Sequence, residues 1–486
     1  MTSVVNNKCN PLRLFRRASE NHRLTVRAGI VKVANTKSWL NMNRSILGCA
    51  LVATLILPVL TGCKAPGQST RLNQPPPGFV ALFNGADLTG WWGADTEDPR
   101  QYLTLPPAEF QKKHDASLAD IRQHWTVQGE ELVNDGHGLF LTTDKNYGDF
   151  ELLVDYKTVP LADSGIYLRG CPQVQIWDST EQAKFSLGAD KGSGGLWNNR
   201  PGSPGKDPLV KADKPFGEWN HFRVLMVGAK VWVWLNGQQT VAGAPLENYY
   251  NHDLPAPPRG PIQLQTHGGE IRWRNLFIRE IGSDEADRRV RDTDPSGFKS
   301  MFDGKDFTGW AGPLDCCAVQ DGAIIWQQHK GGTIYTQEEF TNFIARVEFK
   351  LPPGGNNGLA IRYPGSGDTA YAGMCESQVL DDNYEQATGE KIDPRQAHGS
   401  AYGMVAALRG YQHPITEWNY EEVTVVGPTI KVELNGTVIL NTDLSQVTEF
   451  LDNKKHPGKD RTSGSFGFAG HNDPVMFRNI SIKPLD

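Results

Sequence analysis

The chain has 486 residues, enough for two or three domains that each bury a hydrophobic core. Its 51 Gly, 31 Pro and 13 Trp favour a turn-rich β architecture. Residues 1–62 carry nine Lys or Arg and a single acid, so the remaining chain has a formal charge of −14. Because this part of the chain is acidic, we do not expect it to bind nucleic acid. It also has no basic surface for anionic lipid, so an anchor is the only membrane contact that we expect.

The N-terminal part of the chain has the pattern of an export signal. Residues 46–60 form an apolar stretch that is too short for a membrane-spanning helix but typical of a signal peptide, and it ends at Leu60-Thr61-Gly62-Cys63. This tetrad resembles the lipobox of bacterial lipoproteins, in which the Cys is acylated. We therefore expect residues 1–62 to be a signal-peptide region and Cys63 to be the lipidation site. The protein would then be exported and lipid-anchored in the bacterial cell envelope, facing the periplasm or the outer surface. The alternative is a signal anchor with an incidental Cys.

Two further expectations concern this region. A compact basic segment, Met42-Asn43-Arg44, directly precedes the apolar stretch. Either translation starts at Met42, or it starts at Met1 and the signal peptide has a long basic region. Both alternatives give the same mature protein. Residues 63–78 are polar and rich in Pro, which predicts a disordered tether.

The mature chain contains an internal repeat, which is its most informative feature. The matching segments are FVALFNGADLTGW (79–91) with FKSMFDGKDFTGW (298–310), DSGIYLRG (163–170) with NNGLAIRY (356–363), QVQIWD (173–178) with ESQVLD (376–381), GEWN (217–220) with TEWN (416–419), LNG (235–237) with LNG (434–436), and GPIQLQTHGGEIRWRNLFI (260–278) with GSFGFAGHNDPVMFRNISI (464–482). All pairs occur in the same order. The repeat predicts one domain over residues 79–280, a charged linker over 281–297 and a second domain over 298–485.

Within each copy the local pattern predicts strands. Residues 150–157 and 343–350 alternate apolar and polar side chains, as half-buried antiparallel strands do. Residues 231–237 and 430–436 run into Asn-Gly, a strong hairpin signal. Many short strands with Gly and Pro turns favour an all-β fold with two β-sandwiches in tandem. Residues 98–125 have no counterpart in the second copy and predict a helical insertion in the first.

The ordered set LFNG-x-D-L-T-G-W, SGIYLR, E-x-Q-x-x-D, EWN, LNG and H-x₆-RNI resembles the family of 3-keto-disaccharide hydrolase domains. The resemblance covers nearly all of the mature chain, twice. It implies a concanavalin A-like jelly-roll sandwich with a sugar site on its concave face. It also implies cleavage of 3-keto-glycosides or 3-keto-disaccharides by hydrolysis, or by elimination followed by hydration. Such chemistry needs a base, a donor for the enolate oxygen and an acid for the leaving group.

In the second copy these roles map onto four residues. Glu376 or His471 is expected to be the base, Arg362 to stabilise the enolate and Asp381 to orient another group. Gln378 lies on the same strand face as Glu376 and is expected to bind substrate. The alternative is that Arg362 and Asp381 form a structural ion pair and that His471 is a turn residue.

The first copy departs from this pattern at one position, because Gln173 stands where the second copy has Glu376. An amide cannot act as a general base, although it can hydrogen-bond sugar hydroxyls. The first copy is therefore expected either to bind without cleaving or to work through His267 and Asp178. The substrate-binding residues predicted for this copy are Arg169, Gln173, Gln175, Asp178 and His267.

Four cysteines follow Cys63 in the mature chain. A disulfide between Cys375 and either Cys316 or Cys317 is one alternative, and Cys171 has no assigned partner. No CxxC pair or His cluster predicts a metal or another cofactor, and no acidic loop is specific enough to assign a structural Ca²⁺. The leading hypothesis is an enzyme acting on oligosaccharides or glycosides. The alternatives are a non-catalytic carbohydrate-binding surface lipoprotein and a structural envelope protein.

Overall fold

The computed structural model of the chain describes residues 71–485. The expected signal-peptide region, the start at Met42, the lipidation site Cys63 and the first part of the expected tether lie outside the described residues. Residues 71–78 differ from the disordered tether that their composition predicts. Asn73 donates its backbone N–H to Asn275 Oδ1 at 2.9 Å and accepts the Asn275 N–H at 2.9 Å, so this segment is fixed to the first domain. Within residues 71–485 no helix is long and apolar enough to cross a membrane.

The first half of the described chain is a sandwich of two antiparallel sheets. Its strands are β1 (Val80–Ala81), β2 (Trp91–Ala94), β3 (Trp125–Gln128), β4 (Glu131–Asn134), β5 (Phe140–Thr143), β6 (Phe150–Thr158), β7 (Asp163–Leu168), β8 (Cys171–Trp177), β9 (Asn220–Val227), β10 (Lys230–Leu235), β11 (Gln238–Pro245), β12 (Gln263–Leu264) and β13 (Ile271–Glu280). The eight-stranded sheet has the order β11-β10-β9-β6-β13-β4-β3, with β1 also paired to β13. The five-stranded sheet has the order β2-β5-β12-β7-β8.

The second half repeats this architecture. Its strands are β14 (Lys299–Ser300), β15 (Trp310–Ala311), β16 (Cys317–Gln320), β17 (Ala323–Trp326), β18 (Gly331–Phe340), β19 (Phe343–Lys350), β20 (Asn356–Tyr363), β21 (Cys375–Leu380), β22 (Asn419–Val426), β23 (Thr429–Leu434), β24 (Thr437–Asp443), β25 (Gly464–His471) and β26 (Met476–Pro484). The eight-stranded sheet runs β16-β17-β26-β19-β22-β23-β24 with β14 on β26, and the five-stranded sheet runs β15-β18-β25-β20-β21. The predicted fold class of two β-sandwiches in tandem is confirmed.

The Asn-Gly signals mark matching hairpins in the two copies. Asn236 and Gly237 connect β10 to β11, and both have positive φ, at 52° and 82°. Asn435 and Gly436 connect β23 to β24 with φ of 49° and 79°. This backbone conformation follows the right-handed twist of the strands and is accessible to Asn and Gly. The same dipeptide therefore sets the same register in both eight-stranded sheets.

The larger sheets differ from the half-buried strands that alternation predicts, because their polar faces are also covered. On β19, Glu348 is buried and accepts from Arg291 at 2.6 Å and from Arg478 at 2.7 Å. On β6, Glu151 accepts from Arg223 and Arg279, both at 2.6 Å. Charged side chains can be buried here because each is paired with a guanidinium group.

The predicted insertion in the first copy is helical. It contains α1 (Pro99–Leu103) and α2 (Pro107–His124), and α2 packs on β2. Trp92 packs edge-on against Phe110 of α2, with ring centroids 5.4 Å apart. The insertion therefore covers one edge of the five-stranded sheet of the first sandwich.

The segment between the two copies is more than the charged linker predicted for residues 281–297. It contains α3 (Ser283–Arg291), whose Ala286 and Val290 are buried. These two residues form one apolar cluster with Val227 and Trp232 of the first sandwich and Tyr420 of the second. The sequence pattern did not predict this buried face, because Ala286 and Val290 are the only apolar side chains in a helix of otherwise polar and charged residues.

A buried carboxyl group lies on the same helix. Asp287 is 1% exposed, and neither of its oxygens has a hydrogen-bond partner among the described residues. The nearest base is His413, whose Nδ1 is 4.0 Å from Asp287 Oδ1 and 2.7 Å from the Trp418 carbonyl oxygen. Burial raises the pKa of Asp287 to about 8, with His413 opposing the shift and Glu348 adding to it.

This carboxyl predicts a pH-dependent stability. The folded chain keeps a proton that the unfolded chain releases near the ordinary pKa of 3.8, so the free energy of unfolding falls as pH rises from 3.8 toward about 8. We expect Asp287→Asn to remove this loss of stability at high pH. At pH 8 the variant should melt at least about 3 °C above the parent chain, the shift that roughly 1 kcal/mol produces in domains of this size. The difference should shrink toward pH 5 in thermal unfolding measurements.

Asp292→Asn, at the exposed end of the same helix, is the matched control and should show no such trend. A difference between Asp287→Asn and the parent chain that is the same at pH 5 and pH 8 would contradict the assignment.

Candidate active site

A cavity of about 380 Å³ lies on the outer face of the five-stranded sheet of the second sandwich. Its volume is in the range of small-molecule sites. Its lining is mostly polar and comes from β20, β21, the end of β25 and the surrounding loops. The lining residues are Asn356, Asp368, Ala370, Tyr371, Glu376, Gln378, Leu380, Tyr384, Glu390, Lys391, Ile392, Gln396, Tyr402, Lys454 and His471.

Strand alternation places the floor of this cavity. On β21, Cys375 and Val379 are in the hydrophobic core, whereas Glu376 and Gln378 point to the opposite face and line the cavity. Both polar side chains are nevertheless more than nine-tenths buried, because the loops close over this face. The strand therefore presents a carboxylate and an amide side by side in a site that is largely shielded from water.

A glycine on the neighbouring strand makes room for the carboxylate. A Cβ atom at Gly358 would lie 2.2 Å from Glu376 Oε1, so only glycine lets the Glu376 side chain lie across β20. The first copy has the same arrangement, in which a Cβ at Gly165 would lie 2.4 Å from Gln173 Oε1. This explains why the glycine of the SGIYLR-like motif is present in both copies.

Glu376 and His471 face each other across the cavity floor. Glu376 Oε1 lies 3.7 Å from His471 Nε2, and the imidazole is 47% exposed while the carboxylate is 5% exposed. Burial raises the pKa of Glu376, with His471 opposing the shift. The Glu376 carboxylate in turn raises the pKa of His471. A shielded carboxylate with a raised pKa beside a solvent-facing imidazole is suited to proton transfer.

Gln378 extends this polar floor toward β20. Its Nε2 donates to Asn356 Oδ1 at 2.9 Å, and its Oε1 is buried with no hydrogen-bond partner among the described residues. The Asn356 backbone N–H donates to Asp473 Oδ2 at 3.1 Å, which ties the turn after β25 to the cavity rim. An unpaired carbonyl oxygen at such a position is an acceptor for a ligand hydroxyl.

The structure does not bring Arg362 into this site, which corrects the role expected for it. Its Nε donates to the Thr341 carbonyl at 2.9 Å and its Nη1 to the Gly427 carbonyl at 2.8 Å. Arg169 of the first copy makes the equivalent bond, from Nε to the Gly148 carbonyl at 2.9 Å. Both arginines are buried and satisfy backbone carbonyls, so the repeated arginine supports the loop before β6 and β19.

Asp381 and Asp178 also have a structural role instead of the predicted site role. Asp381 accepts the N–H of Gly354 at 2.8 Å and of Asn383 at 2.9 Å. Asp178 accepts the N–H of Leu161 at 3.0 Å in the same way. Both carboxylates lie just beyond a strand end, where short polar side chains commonly satisfy turn N–H groups.

The other predicted residues of the first copy do come together. His267 Nδ1 lies 3.3 Å from Asp163 Oδ2, and Gln175 Nε2 donates to Asp163 Oδ1 at 2.9 Å. Gln173 donates its Nε2 to Gln175 Oε1. Asp163 was not among the predicted site residues, although it is the aligned counterpart of Asn356.

Sequence reasoning also missed most of the cavity wall in the second copy. Asp368 and Tyr371 lie on α4 (Thr369–Ala372) or its N-cap, and Tyr384 begins α5 (Tyr384–Thr388). Lys454 and Tyr402 come from loops. These segments do not match the first copy, so a comparison of the two copies cannot detect them. The one available signal is the number of Tyr residues between the shared motifs.

Within residues 71–485 no group of three or more His, Cys, Asp or Glu side chains is arranged to hold a metal ion. The four cysteines in this range are free and buried, so the disulfide alternative for Cys375 is not realised.

Comparison with known proteins gives two kinds of match. The profile of the family described as 3-keto-alpha-glucoside-1,2-lyase-like domain matches the chain twice, over residues 78–279 and 297–483. A 3-keto-disaccharide hydrolase from Bacteroides thetaiotaomicron is 28% identical over 250 residues, covering 43% of this chain and 86% of that protein. These matches support a carbohydrate-active role.

Two similar solved structures each match about two fifths of this chain. A glycosyl hydrolase candidate from Parabacteroides distasonis has 25% identity and a TM-score of 0.35, and the match covers 40% of this chain and 95% of that one. A carbohydrate-binding module from Bacillus subtilis has 10% identity and a TM-score of 0.25, covering 36% and 95%.

The Glu376–His471 pair predicts a measurable coupling in the protein without ligand. Because the Glu376 carboxylate is the main cause that raises the pKa of His471, we expect Glu376→Gln to lower that pKa toward the ordinary value of 6.5. The pKa is measured by NMR titration of histidine Cε1–H signals.

Asp163→Asn provides the matched control, because it should lower the pKa of His267 and leave that of His471 in place. An unchanged His471 pKa in Glu376→Gln would show that the two groups do not interact in solution.

Proposed function

The chain belongs to the family of 3-keto-alpha-glucoside-1,2-lyase-like domains in both of its halves, and we propose that it is an enzyme that cleaves 3-keto-glycosides. The observation that carries this proposal is the buried Glu376 carboxylate, which lies 3.7 Å from His471 in a cavity large enough for a sugar. The activity resides in the second sandwich, because the first has an amide, Gln173, at the position of Glu376.

The chemistry starts from the acidity that a C3 ketone gives to the hydrogen on C2. A base takes this proton, and the electron pair of the C2–H bond forms an enolate over C2, C3 and the ketone oxygen. The enolate then expels the substituent at C1: the C1–O bond breaks, a C1=C2 double bond forms, and the leaving oxygen takes a proton. Addition of water puts hydroxyl on C1 and a proton on C2, so the net reaction is hydrolysis.

The side chains of the cavity divide these steps between them. Glu376 is the base, because its burial favours the form that holds a proton and so strengthens it as an acceptor. His471 has a raised pKa and faces the open side of the cavity, where it donates a proton to the leaving oxygen. Gln378 Oε1 receives a sugar hydroxyl.

The enolate oxygen needs a donor in place of Arg362, which is engaged elsewhere. Lys454 is a cation in the cavity lining, and its Nζ lies 3.5 Å from the centre of the Tyr371 ring. We assign the stabilisation of the enolate to Lys454, with the Tyr371 hydroxyl as a second donor in the same wall.

A non-catalytic carbohydrate-binding protein is the competing function, because a polar cavity with Gln378 and three tyrosines also suits sugar binding alone. Release of product distinguishes the enzyme from the binding protein. The mature protein is incubated with 3-keto-trehalose and, separately, with trehalose. We expect release of 3-keto-glucose from the oxidised sugar only, since trehalose lacks the acidic C2 hydrogen.

Glu376→Gln tests the role of the carboxylate. Loss of a general base typically costs two to four orders of magnitude, so we expect kcat to fall at least about 100-fold. Because burial raises the pKa of Glu376, the acid limb of kcat/KM in the parent chain should lie above pH 4.5.

Glu338→Gln is the matched control, since this carboxylate makes a surface ion pair with Lys299 on the same sandwich, and its activity should equal that of the parent. Binding of 3-keto-trehalose without release of 3-keto-glucose by the parent chain would establish the binding function instead.

We also propose that the protein is exported and anchored in the bacterial envelope through a lipid on Cys63. The support is the Leu60-Thr61-Gly62-Cys63 tetrad after an apolar segment. We expect Cys63→Ser to abolish incorporation of labelled palmitate and to move the protein out of the membrane fraction. Cys49→Ser, within the apolar segment, should keep both properties. Membrane association of Cys63→Ser equal to that of the parent would favour a signal anchor.

A further inference from the structure

The two sandwiches exchange a carboxylate and an amide between equivalent positions. On β20 and β21 the second copy has Asn356 and Glu376, whereas on β7 and β8 the first copy has Asp163 and Gln173. Each copy therefore keeps one carboxylate near its histidine, but on opposite strands. His471 pairs with Glu376 at 3.7 Å, and His267 pairs with Asp163 at 3.3 Å.

The exchange changes what the carboxylate is able to do. Asp163 is contacted by Lys184 Nζ at 3.1 Å, by His267 Nδ1 at 3.3 Å and by Gln175 Nε2 at 2.9 Å. Burial favours protonation of Asp163, but His267 and Lys184 outweigh it and hold the pKa of this carboxyl below its ordinary value. Glu376 lacks a lysine at ion-pair distance among the described residues, and its pKa is raised. Asp163 is thus a poor proton acceptor, fixed as an anion by its neighbours.

The first site nevertheless has buried hydrogen-bonding groups without a partner. Gln173 is 4% exposed, and its Oε1 lacks a hydrogen-bond partner within the described part of the chain. Gln265, whose backbone N–H pairs with the Gly165 carbonyl, also has an Oε1 that is buried and has no partner in residues 71–485. Both carbonyl oxygens lie near Gly165 and are buried without a donor, which destabilises the folded chain. A ligand hydroxyl that donates to them would remove this free-energy cost.

We propose that the first sandwich holds a second glycan-binding site, built on Gln173, Gln265 and His267, that binds a neutral glycan without cleaving it. The ligand class rests on the proposed function of the second sandwich, whose substrate is a glycoside. Gln173 and Gln265 accept hydroxyl protons, and Lys184 and His267 donate to ring or hydroxyl oxygens. The chain thus binds one glycan at the first sandwich and cleaves another at the second.

The number of binding sites tests this proposal. The mature chain carrying Glu376→Gln is titrated calorimetrically with 3-keto-trehalose and with trehalose, so that neither probe is consumed. We expect two sites per chain for 3-keto-trehalose. Gln173→Leu, added to Glu376→Gln, should weaken one site at least tenfold, and Gln378→Leu should weaken the other. A titration in which Gln173→Leu changes neither site, or which shows one site sensitive only to Gln378→Leu, would overturn the proposal.

The non-catalytic character has its own readout. We expect Glu376→Gln to leave no release of 3-keto-glucose above background, because Asp163 cannot replace the missing base. Residual release that disappears on adding His267→Gln would show that the first sandwich cleaves as well. A parent chain without hydrolytic activity, but with a site sensitive to Gln173→Leu, would contradict the proposed function and leave the second glycan site standing.

Discussion

The candidate site depends on one constraint, the close contact between a long polar side chain and a glycine on the neighbouring strand. Glu376 lies across Gly358, where a Cβ would come within 2.2 Å of its carboxylate oxygen. The glycine allows the carboxylate to lie flat on the sheet, out of water, and burial then raises its pKa. The raised pKa of His471 also depends on this position, because the Glu376 carboxylate is its main cause. The equivalent contact between Gln173 and Gly165 shows that the same sheet geometry accommodates an amide as well as a carboxylate.

The fold was largely predictable, because it is set by local signals that occur twice. Asn236-Gly237 and Asn435-Gly436 fix hairpins, and alternation on β6 and β19 identifies strands in the centre of each larger sheet. The helical insertion stood out because the second copy lacks it. Two features were missed for physical reasons: α3 buries only a few apolar side chains among many charges, and Asn73 is held by a long-range pair of hydrogen bonds to Asn275.

The site was predictable only in part. Alternation correctly puts Glu376 and Gln378 on one face of β21, and the shared motif brings His471 to them. Arg362 and Asp381 were misassigned because repetition in two copies marks structural and chemical importance alike, and these residues support the backbone instead. The cavity wall, with Tyr371 and Lys454, comes from loops that differ between the copies. Comparison of the two copies therefore identifies the floor of the site but not its walls, which come from segments that differ between the copies.

The buried position of α3 has a consequence for how this protein evolved. A duplicated domain normally remains a portable unit, because each copy closes its own core and the connecting segment is free in solvent. Here the connector supplies Ala286 and Val290 to a cluster that needs Trp232 from one copy and Tyr420 from the other. Recombination that separated the copies would leave apolar surface on both. Substitutions in either sugar site leave this shared cluster intact, so the two sites can differ in chemistry while the two domains stay joined.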